Sequence, residues 1–184
     1  MNKKISLIFL VLAALVVAAV FNFDVIKAQF ETVPESSDGI VQKKELTKTE
    51  VIGFFSSQAW FDYNTKSQPL DLAPVAASKV VYIHIWASWC GPCLNEIPEL
   101  VDYAQKNKDS SQFILISLDD SQSELDKFLK SFPEMREPHF IKIWDYEKKI
   151  SKKLDVDRLP MTIILKPTED AIKNIRSVVN WKSF

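Results

Sequence analysis

The chain has two cysteines, Cys90 and Cys93, and their spacing is the feature most able to support chemistry. An apolar, β-branched and aromatic run over residues 79–86 precedes them, and an apolar pattern at helical spacing follows over residues 92–106. Cysteines at positions i and i+3 of a first helical turn share one face, so their sulfurs can form a disulfide. Because so short a loop removes little entropy from the unfolded chain, this disulfide would stabilise the fold poorly. The spacing therefore indicates a redox role.

The position of Cys90 at a predicted helix N-terminus favours its thiolate form. Unpaired backbone N–H groups and the helix dipole stabilise an anion there, which lowers the thiol pKa below its ordinary value of about 8.5. Cys93 lies one turn further along and suits a resolving role, and Pro92 fits a first turn because its missing N–H costs nothing there. These features predict thiol–disulfide exchange, with Cys90 as the attacking thiol.

Other uses of the two cysteines are less well supported. Zinc needs about four ligands, and the only further strong candidates are His84 and His139, without a second cysteine pair. Inert core cysteines would not need a place between a strand and a helix, and a copper-handling protein would need a Met or His set that the sequence lacks. We therefore expect no metal and no cofactor. A redox-inert binding or chaperone module stays open as an alternative of a different class.

The elements around the cysteines alternate between strand and helix patterns. Thr47 with Glu50 and Ser121 with Glu124 fit capping boxes, so we expect a short helix that opens the domain near Val51 and another helix that starts at Asp120 or Ser121. A turn-prone segment at residues 64–67 suggests a hairpin formed by residues 59–63 and 69–72. Further strands are predicted over residues 79–86, 113–118, 140–144, 161–165 and 172–179, with a helix capped by Asp145 that reaches residue 153. This alternation implies an α/β sandwich around a partly parallel sheet.

The N-terminal residues predict export. Lys3 and Lys4 precede an uncharged, nearly all-apolar stretch of 19 residues, 5–23. A secretory apolar region usually has about 7–15 residues, whereas a membrane span needs roughly 20, so the length favours a retained anchor over a cleaved signal peptide. We expect an anchor or signal peptide at residues 1–23, a linker at 24–49, and one domain at 50–184. Either reading places that domain outside the cytoplasm.

The amino-acid composition further restricts the class of protein. Apolar residues make up 47% of the chain and charged residues 26%, which is typical of a globular protein and not of a disordered one. The formal net charge is −1, so charge provides no argument for a nucleic-acid partner.

The motif Trp-Cys-Gly-Pro-Cys at residues 89–93 resembles the active-site motif of thioredoxins. The wider pattern is similar to that of the membrane-anchored TlpA/ResA-like thioredoxin proteins, which reduce disulfides outside the cytoplasmic membrane, several of them in cytochrome c maturation. The resemblance covers about residues 50–180. It implies a thioredoxin-like three-layer sandwich with a central mixed β-sheet and an N-terminal β-hairpin extension. The matching positions are Trp86, Ala87, Trp89, Cys90, Pro92, Cys93, Glu96, Pro98 and Leu159-Pro160.

The resemblance also implies roles for residues outside the cysteine pair. Pro160 would be cis, face the cysteines and bind substrate together with Leu159; the alternative is a trans proline at a strand entrance. Glu96 would tune the cysteine pKa values and move protons, or would be a solvated first-turn acid. His84 stands where thioredoxins carry a buried aspartate, and would be a proton relay or a hydrogen-bonded core histidine. Trp89, Gly91 and Pro92 complete the supporting set.

The expected partners follow from the same resemblance. They are disulfide-containing substrate proteins, the membrane through the N-terminal helix, and a membrane thiol–disulfide electron donor that reduces the enzyme again. We expect the domain in the periplasm or outside the cell, tethered to the inner or cytoplasmic membrane, with a soluble periplasmic form after signal cleavage as the alternative. The Gly-Pro dipeptide between the cysteines favours a reductant, although oxidants share the fold and keep that direction open.

Overall fold

Strands and helices alternate along the part of the chain that the computed structural model describes, residues 46–65 and 69–184. The helices are α1 Lys48–Ser56, α2 Leu72–Ser78, α3 Gly91–Lys106, α4 Gln122–Ser131 and α5 Lys149–Lys153, with 3-10 turns at Pro133–Arg136 and Trp181–Ser183. The strands are β1 Val80–Trp86, β2 Ser111–Ser117, β3 Phe140–Trp144, β4 Met161–Leu165 and β5 Lys173–Ile175.

Three helix starts depend on side chains that the sequence analysis singled out. Thr47 and Ser121 each accept a hydrogen bond from the backbone N–H three residues on, and the Glu at that position bonds back, so both capping boxes form. Asp145 accepts hydrogen bonds from the backbone N–H groups of Ile150 at 3.1 Å and Ser151 at 2.8 Å. Both capping boxes are confirmed. Asp145 does bond to the first turn of α5, but the N-cap residue of that helix is Lys148, which makes no side-chain capping bond.

The five described strands form one mixed sheet in the order β3-β2-β1-β4-β5. β1 is central: it pairs parallel with β2 and antiparallel with β4. β2 and β3 are parallel, and β4 and β5 are antiparallel. The carboxyl end of β1 therefore lies between neighbouring strands on both sides, and the cysteine motif begins there.

Two apolar layers enclose the sheet, because alternate side chains of each strand point to opposite faces. On one face Tyr82 and Trp86 of β1 pack with the buried residues of α3 and α4 and with both cysteines. On the other face Val81, Ile83 and Ile85 pack with α1, α2 and α5. The predicted three-layer sandwich with a central mixed sheet is confirmed.

The predicted N-terminal hairpin differs from what forms. A single isolated bridge joins Phe61 to Pro69, and α2 begins at Leu72 instead of a strand. The reason is Asp62, whose carboxylate accepts hydrogen bonds from the N–H groups of Asn64, Thr65 and Lys142 at 2.8–3.0 Å. This segment is held by a side-chain turn and by the edge of β3, so no two-stranded ladder develops among the described residues.

The last predicted strand is shorter than residues 172–179. β5 ends at Ile175, and the backbone N–H of Val179 donates to the carboxylate of Glu96 instead of to the sheet. The chain then enters the 3-10 turn, where the buried indole of Trp181 packs against Tyr82 and Tyr103 at ring-centroid distances of 5.7 and 5.6 Å. This turn covers the cysteine-bearing face of the sheet.

The predicted anchor at residues 1–23 and most of the predicted linker lie outside the described residues. Within residues 46–65 and 69–184, no helix combines the length and the apolar character that crossing a membrane requires.

Candidate active site

The two cysteines lie at the junction of β1 and α3 and are joined in a disulfide, with their Cα atoms 5.3 Å apart. Their surroundings differ. Cys90 retains 6% exposure, whereas Cys93 has none. Cys90 is therefore the more accessible of the two residues to a second protein, and the order of attack and resolution stays a prediction.

The start of α3 places backbone donors around Cys90. Cys90 is the N-cap residue, and its sulfur accepts a hydrogen bond of 3.3 Å from the N–H of Cys93. In the reduced protein the same N–H group and the helix dipole favour a sulfur anion at this position. Pro92 lies in the first turn, and a Cβ added at Gly91 would meet nothing within 4 Å. The space beside Cys90 is consequently open.

A groove of about 500 Å³ lies against Cys90. Its lining includes Trp89, with 61% of its surface exposed, and the next residues of the motif, Gly91 and Pro92. The groove is also lined by Leu118 and residues 156–159. Leu159 precedes Pro160, and the peptide bond between them is cis, as the resemblance implied. The predicted substrate-binding segment thus borders the predicted nucleophile.

An ion-pair clamp holds this segment from the side of β5. The guanidinium of Arg176 donates to the carboxylate of Asp157 at 2.6 Å and to the carbonyl oxygen of Asp155 at 2.9 Å. Asp155 has a φ of 54°, in the left-handed region that a non-glycine residue adopts only when its surroundings hold it there. Arg176 therefore helps to set the path of the chain that forms one wall of the groove.

Asp119 secures the loop on the other side of Cys90. This fully buried carboxylate accepts hydrogen bonds from Ser88, through its N–H at 2.9 Å and its hydroxyl at 2.6 Å, and from the hydroxyl of Ser117 at 2.6 Å. The carbonyl oxygen of Asp119 accepts a further bond from the indole N–H of Trp144. The residues between β1 and the first cysteine are thereby tied to the carboxyl end of β2.

Glu96 and His84 meet beneath α3. The Nε2 atom of His84 lies 3.4 Å from Oε1 of Glu96, and both residues are almost fully buried, at 2% and 3% exposure. Nδ1 of His84 lies 3.0 Å from Oγ1 of Thr162, and Oε2 of Glu96 accepts a 2.9 Å bond from the N–H of Val179. The alternative of a solvated first-turn acid is therefore wrong for Glu96.

Burial changes the protonation of both groups. Removal from water raises the pKa of Glu96 to about 7, against the opposing effect of the hydrogen bond from Val179. The same loss of solvation lowers the pKa of His84 below its ordinary value. A neutral imidazole thus stands beside a carboxyl group whose protonation changes near neutral pH.

The sequence analysis did not identify Asp119, Thr162 or Arg176. The location of Asp119 near the cysteines could have been predicted, because polar residues that follow neighbouring parallel strands meet at one edge of the sheet. Thr162 and Arg176 had none, because their contacts depend on the pairing of β4 with β1 and on the course of the chain after β5. Among the described residues, no group of three or more His, Cys, Asp or Glu side chains could hold a metal ion.

Curated relatives share part of this chain. The thiol-disulfide oxidoreductase ResA of Bacillus subtilis is 22% identical over 111 residues, 60% of this chain and 59% of the relative. The protein of the same name from Oceanobacillus iheyensis is 26% identical over 113 residues, 58% of this chain and 56% of that one. The chain thus matches less than two thirds of the length of these relatives.

Solved structures share the fold. A secreted Mycobacterium tuberculosis disulfide oxidoreductase, described as homologous to Escherichia coli DsbE, superposes with a TM-score of 0.56 at 16% identity, over 68% of this chain and 90% of that one. The exposed lipoprotein thioredoxin Etrx1 of Streptococcus pneumoniae gives 0.53 at 17% identity, over 68% and 92%. The family model described as thioredoxin-like matches residues 78–171, just over half of the chain. With the sheet order, the cysteine pair at a helix start and the cis proline in place, this match shows that the chain belongs to the thioredoxin-like family.

Proposed function

We propose that this chain is an extracytoplasmic thiol–disulfide oxidoreductase that reduces disulfides of substrate proteins through Cys90 and Cys93. One observation carries the proposal: the outer sulfur, Cys90, borders an open groove at a helix N-terminus, while its partner Cys93 is buried one turn below. The names of the two ResA relatives support the reaction class.

The proposed exchange has two steps, and the difference in exposure between the two cysteines supports their order. The Cys90 thiolate attacks one sulfur of the substrate disulfide, so a Cys90–substrate bond forms and the other substrate sulfur leaves as a thiolate that takes up a proton. Cys93 then loses its proton and attacks the sulfur of Cys90. This second step forms the Cys90–Cys93 bond, breaks the mixed disulfide and releases the second substrate thiol. Two electrons have passed from the enzyme to the substrate.

The groove supports a protein as the substrate. Trp89 offers a large exposed ring beside Cys90, and aromatic rings of this kind are common anchors in protein contacts. Residues 156–159 line the same groove. A substrate segment that lies in this groove would bring its disulfide to the exposed side of Cys90 and leave Cys93 undisturbed until the second step.

Direction, location and partners belong to the same proposal. We propose that the domain works outside the cytoplasmic membrane, that an N-terminal anchor holds it there, and that a membrane thiol–disulfide electron donor restores the dithiol. Cytochrome c maturation is the setting that the family resemblance suggests. The opposite direction, oxidation of substrate thiols, uses the same bonds in reverse and is separated by the reduction potential.

The first experiment measures that potential for the whole chain in defined thiol–disulfide buffers, with free thiols counted by mass. The chain has only these two cysteines, so the count has no background. A potential near or below about −230 mV supports a reductase, because thioredoxin lies near −270 mV. A value near −120 mV marks an oxidant. The absence of a reversible couple would favour a redox-inert binding module.

Two matched variants test the assigned order. With a disulfide-containing protein as substrate, Cys93→Ser should accumulate a mixed disulfide that a reductant releases, because Cys90 can attack but nothing resolves the product. Cys90→Ser should accumulate much less, since the remaining sulfur is buried. Equal trapping by both variants would contradict the order. A double Cys→Ser variant that keeps the cellular function would contradict the enzyme itself.

A further inference from the structure

Three buried polar side chains from three different elements lie in a line within the core. His84 comes from β1, Thr162 from β4 and Glu96 from α3. The imidazole lies between the other two, with Nδ1 at 3.0 Å from the Thr162 hydroxyl and Nε2 at 3.4 Å from the Glu96 carboxyl group. All three residues are buried, so water cannot replace one of these partners without entering the core.

This line lies on the cysteine side of the sheet. Side chains alternate along a strand, and the neighbours of His84 at two residues on either side, Tyr82 and Trp86, pack in the same apolar cluster as Cys93. Glu96 follows Cys93 by three residues on α3, which places the two on one helical face. The three polar groups are thus in the layer that supports the buried cysteine.

The contacts of the imidazole restrict where hydrogens can sit. When Glu96 is ionised, a hydrogen on Nε2 would face Oε1 of the carboxylate, which lies 3.4 Å away and accepts no hydrogen bond from the described residues, and Nδ1 accepts from the Thr162 hydroxyl. Oε2 already accepts from the N–H of Val179, so a proton gained by the pair is placed on the Oε1 side. A hydrogen then stands between Nε2 and Oε1, and Nδ1 carries the second hydrogen and donates it to Thr162. The pair gains one proton in total. Whether the hydrogen between the two side chains is bonded to Nε2 or to the carboxyl oxygen, Nδ1 is the atom whose protonation changes.

We propose that His84 is a positioning residue that takes up and releases the proton of this site at Nδ1, with Thr162 as its partner, while Nε2 shares a hydrogen with Glu96. Neither His84 nor Thr162 touches the reacting sulfurs in this assignment. They act through Glu96, and the threonine hydroxyl suits both states because it can donate or accept.

The charged and polar groups around His84, Thr162 and Glu96 are compatible with a site that gains or loses a single proton. Val179 donates its N–H to the other carboxyl oxygen of Glu96 and is not titratable. Glu99, one turn further along α3, acts electrostatically to raise the Glu96 pKa, and its own carboxylate is paired with Lys182 at 2.8 Å. From β1, the Tyr82 hydroxyl is bonded to that of Tyr103. Burial raises the Glu96 pKa to about 7, which brings the change into the physiological range.

The consequence for exchange rests on the proposed function. Resolution of the mixed disulfide requires that Cys93 lose its proton before it attacks Cys90. A buried group that gains one proton as the thiol loses one keeps the net charge of this layer unchanged, and so avoids the cost of an isolated buried anion. The line from Glu96 through His84 to Thr162 would hold that proton until the product disulfide has formed.

The test measures the protonation of the His84 ring nitrogens directly. The chain has two histidines, so uniformly ¹⁵N-labelled protein gives two sets of side-chain nitrogen signals, and His139→Gln assigns them and serves as the control. Long-range ¹H–¹⁵N spectra of the oxidised and reduced chain are recorded from about pH 5 to pH 9, across the range in which histidine normally titrates. The same series is recorded for Glu96→Gln and Thr162→Val, which change few or no heavy atoms.

In the wild type, Nδ1 of His84 should gain a hydrogen as the pH falls through one transition. Glu96→Gln should abolish that transition, and Thr162→Val should move it to lower pH, with proton affinity reduced by about threefold or more, because the protonated Nδ1 loses its acceptor. His139→Gln should leave it unchanged. An Nδ1 that keeps one state over the whole range, or the same midpoint in Glu96→Gln or Thr162→Val, overturns the proposal.

This result is separable from the proposed function. If exchange activity is present and Nδ1 does not change, His84 is a structural core residue and the oxidoreductase proposal stands. If Nδ1 changes as expected but the cysteines show no reversible couple, the proton site exists and the proposed function fails.

Discussion

Replacement of Glu96 by Gln should make the protein more stable at alkaline pH. Glu96 is 3% exposed, and burial raises its pKa from 4.5 to about 7. Between these values the folded protein holds a proton that the unfolded chain has released. Since the folded state binds more protons there, the free energy of unfolding falls as the pH rises through this window, and the loss is complete above about pH 8.

The size of the effect follows from the shift. One pH unit corresponds to about 1.36 kcal/mol, so a shift of about 2.5 units costs the wild type roughly 3 kcal/mol at alkaline pH. The Gln side chain is neutral at every pH and keeps an oxygen that can accept from the N–H of Val179. The variant should therefore match the wild type near pH 4.5 and exceed it by about 3 kcal/mol above pH 8.

The assay is urea unfolding of the oxidised protein at several pH values from about 4.5 to 9, with the slope on denaturant checked for constancy. Glu99→Gln is the matched control, because it removes a carboxylate from the same helix at a position nearer the surface. A difference between Glu96→Gln and wild type that does not grow with pH would refute the burial argument. So would an equal effect from Glu99→Gln.

Three further substitutions test the parts that hold the site. Asp119→Ala should lower the free energy of unfolding by about 3 kcal/mol in urea titrations and speed hydrogen exchange at the Ser88 amide, because three donors, two on half-buried Ser88 and one on buried Ser117, lose a charged acceptor; an unchanged Ser88 amide would argue against this role of Asp119. Arg176→Gln should speed hydrogen exchange over residues 155–159 by mass spectrometry, and equal exchange in both proteins would show that the clamp is unnecessary. Trp89→Ala should leave the free energy of unfolding within about 0.5 kcal/mol but reduce kcat/KM for a protein disulfide about tenfold, with a small-molecule disulfide as the control; an equal loss on both substrates would contradict a docking role.

Sequence patterns predicted helices and strands well where interactions between nearby residues determine them. The pair Thr47 and Glu50 sets the start of α1 through its own side chains, and the apolar run of β1 is buried along almost its whole length. The motif at residues 89–93 likewise predicts a strand–helix junction, because a proline suits a first helical turn. Each of these predictions depends on interactions within a few residues.

Predictions that depend on distant partners were less complete. Asn64 and Thr65 look like a hairpin turn, but the carboxylate of Asp62 bonds to them and to Lys142 of β3, a contact 80 positions away in the chain. The contact between His84 and Glu96 similarly requires that α3 packs on β1 in one particular position along the strand. The sequence contains both residues, but only the packing of helix on sheet decides that they meet.

The central position of β1 also governs when the site can exist during folding. The bond from Val179 to Glu96 joins residues 83 positions apart, and the contact between His84 and Thr162 joins residues 78 apart. Contacts so distant in the chain carry a large loop-closure cost and form after local helices do. A chain still emerging from the ribosome would therefore display the cysteine pair at the start of α3 before β4 and residues 179–181 arrive. The newly made dithiol would be exposed to other thiols during that interval, until these segments join the buried cluster that contains Cys93.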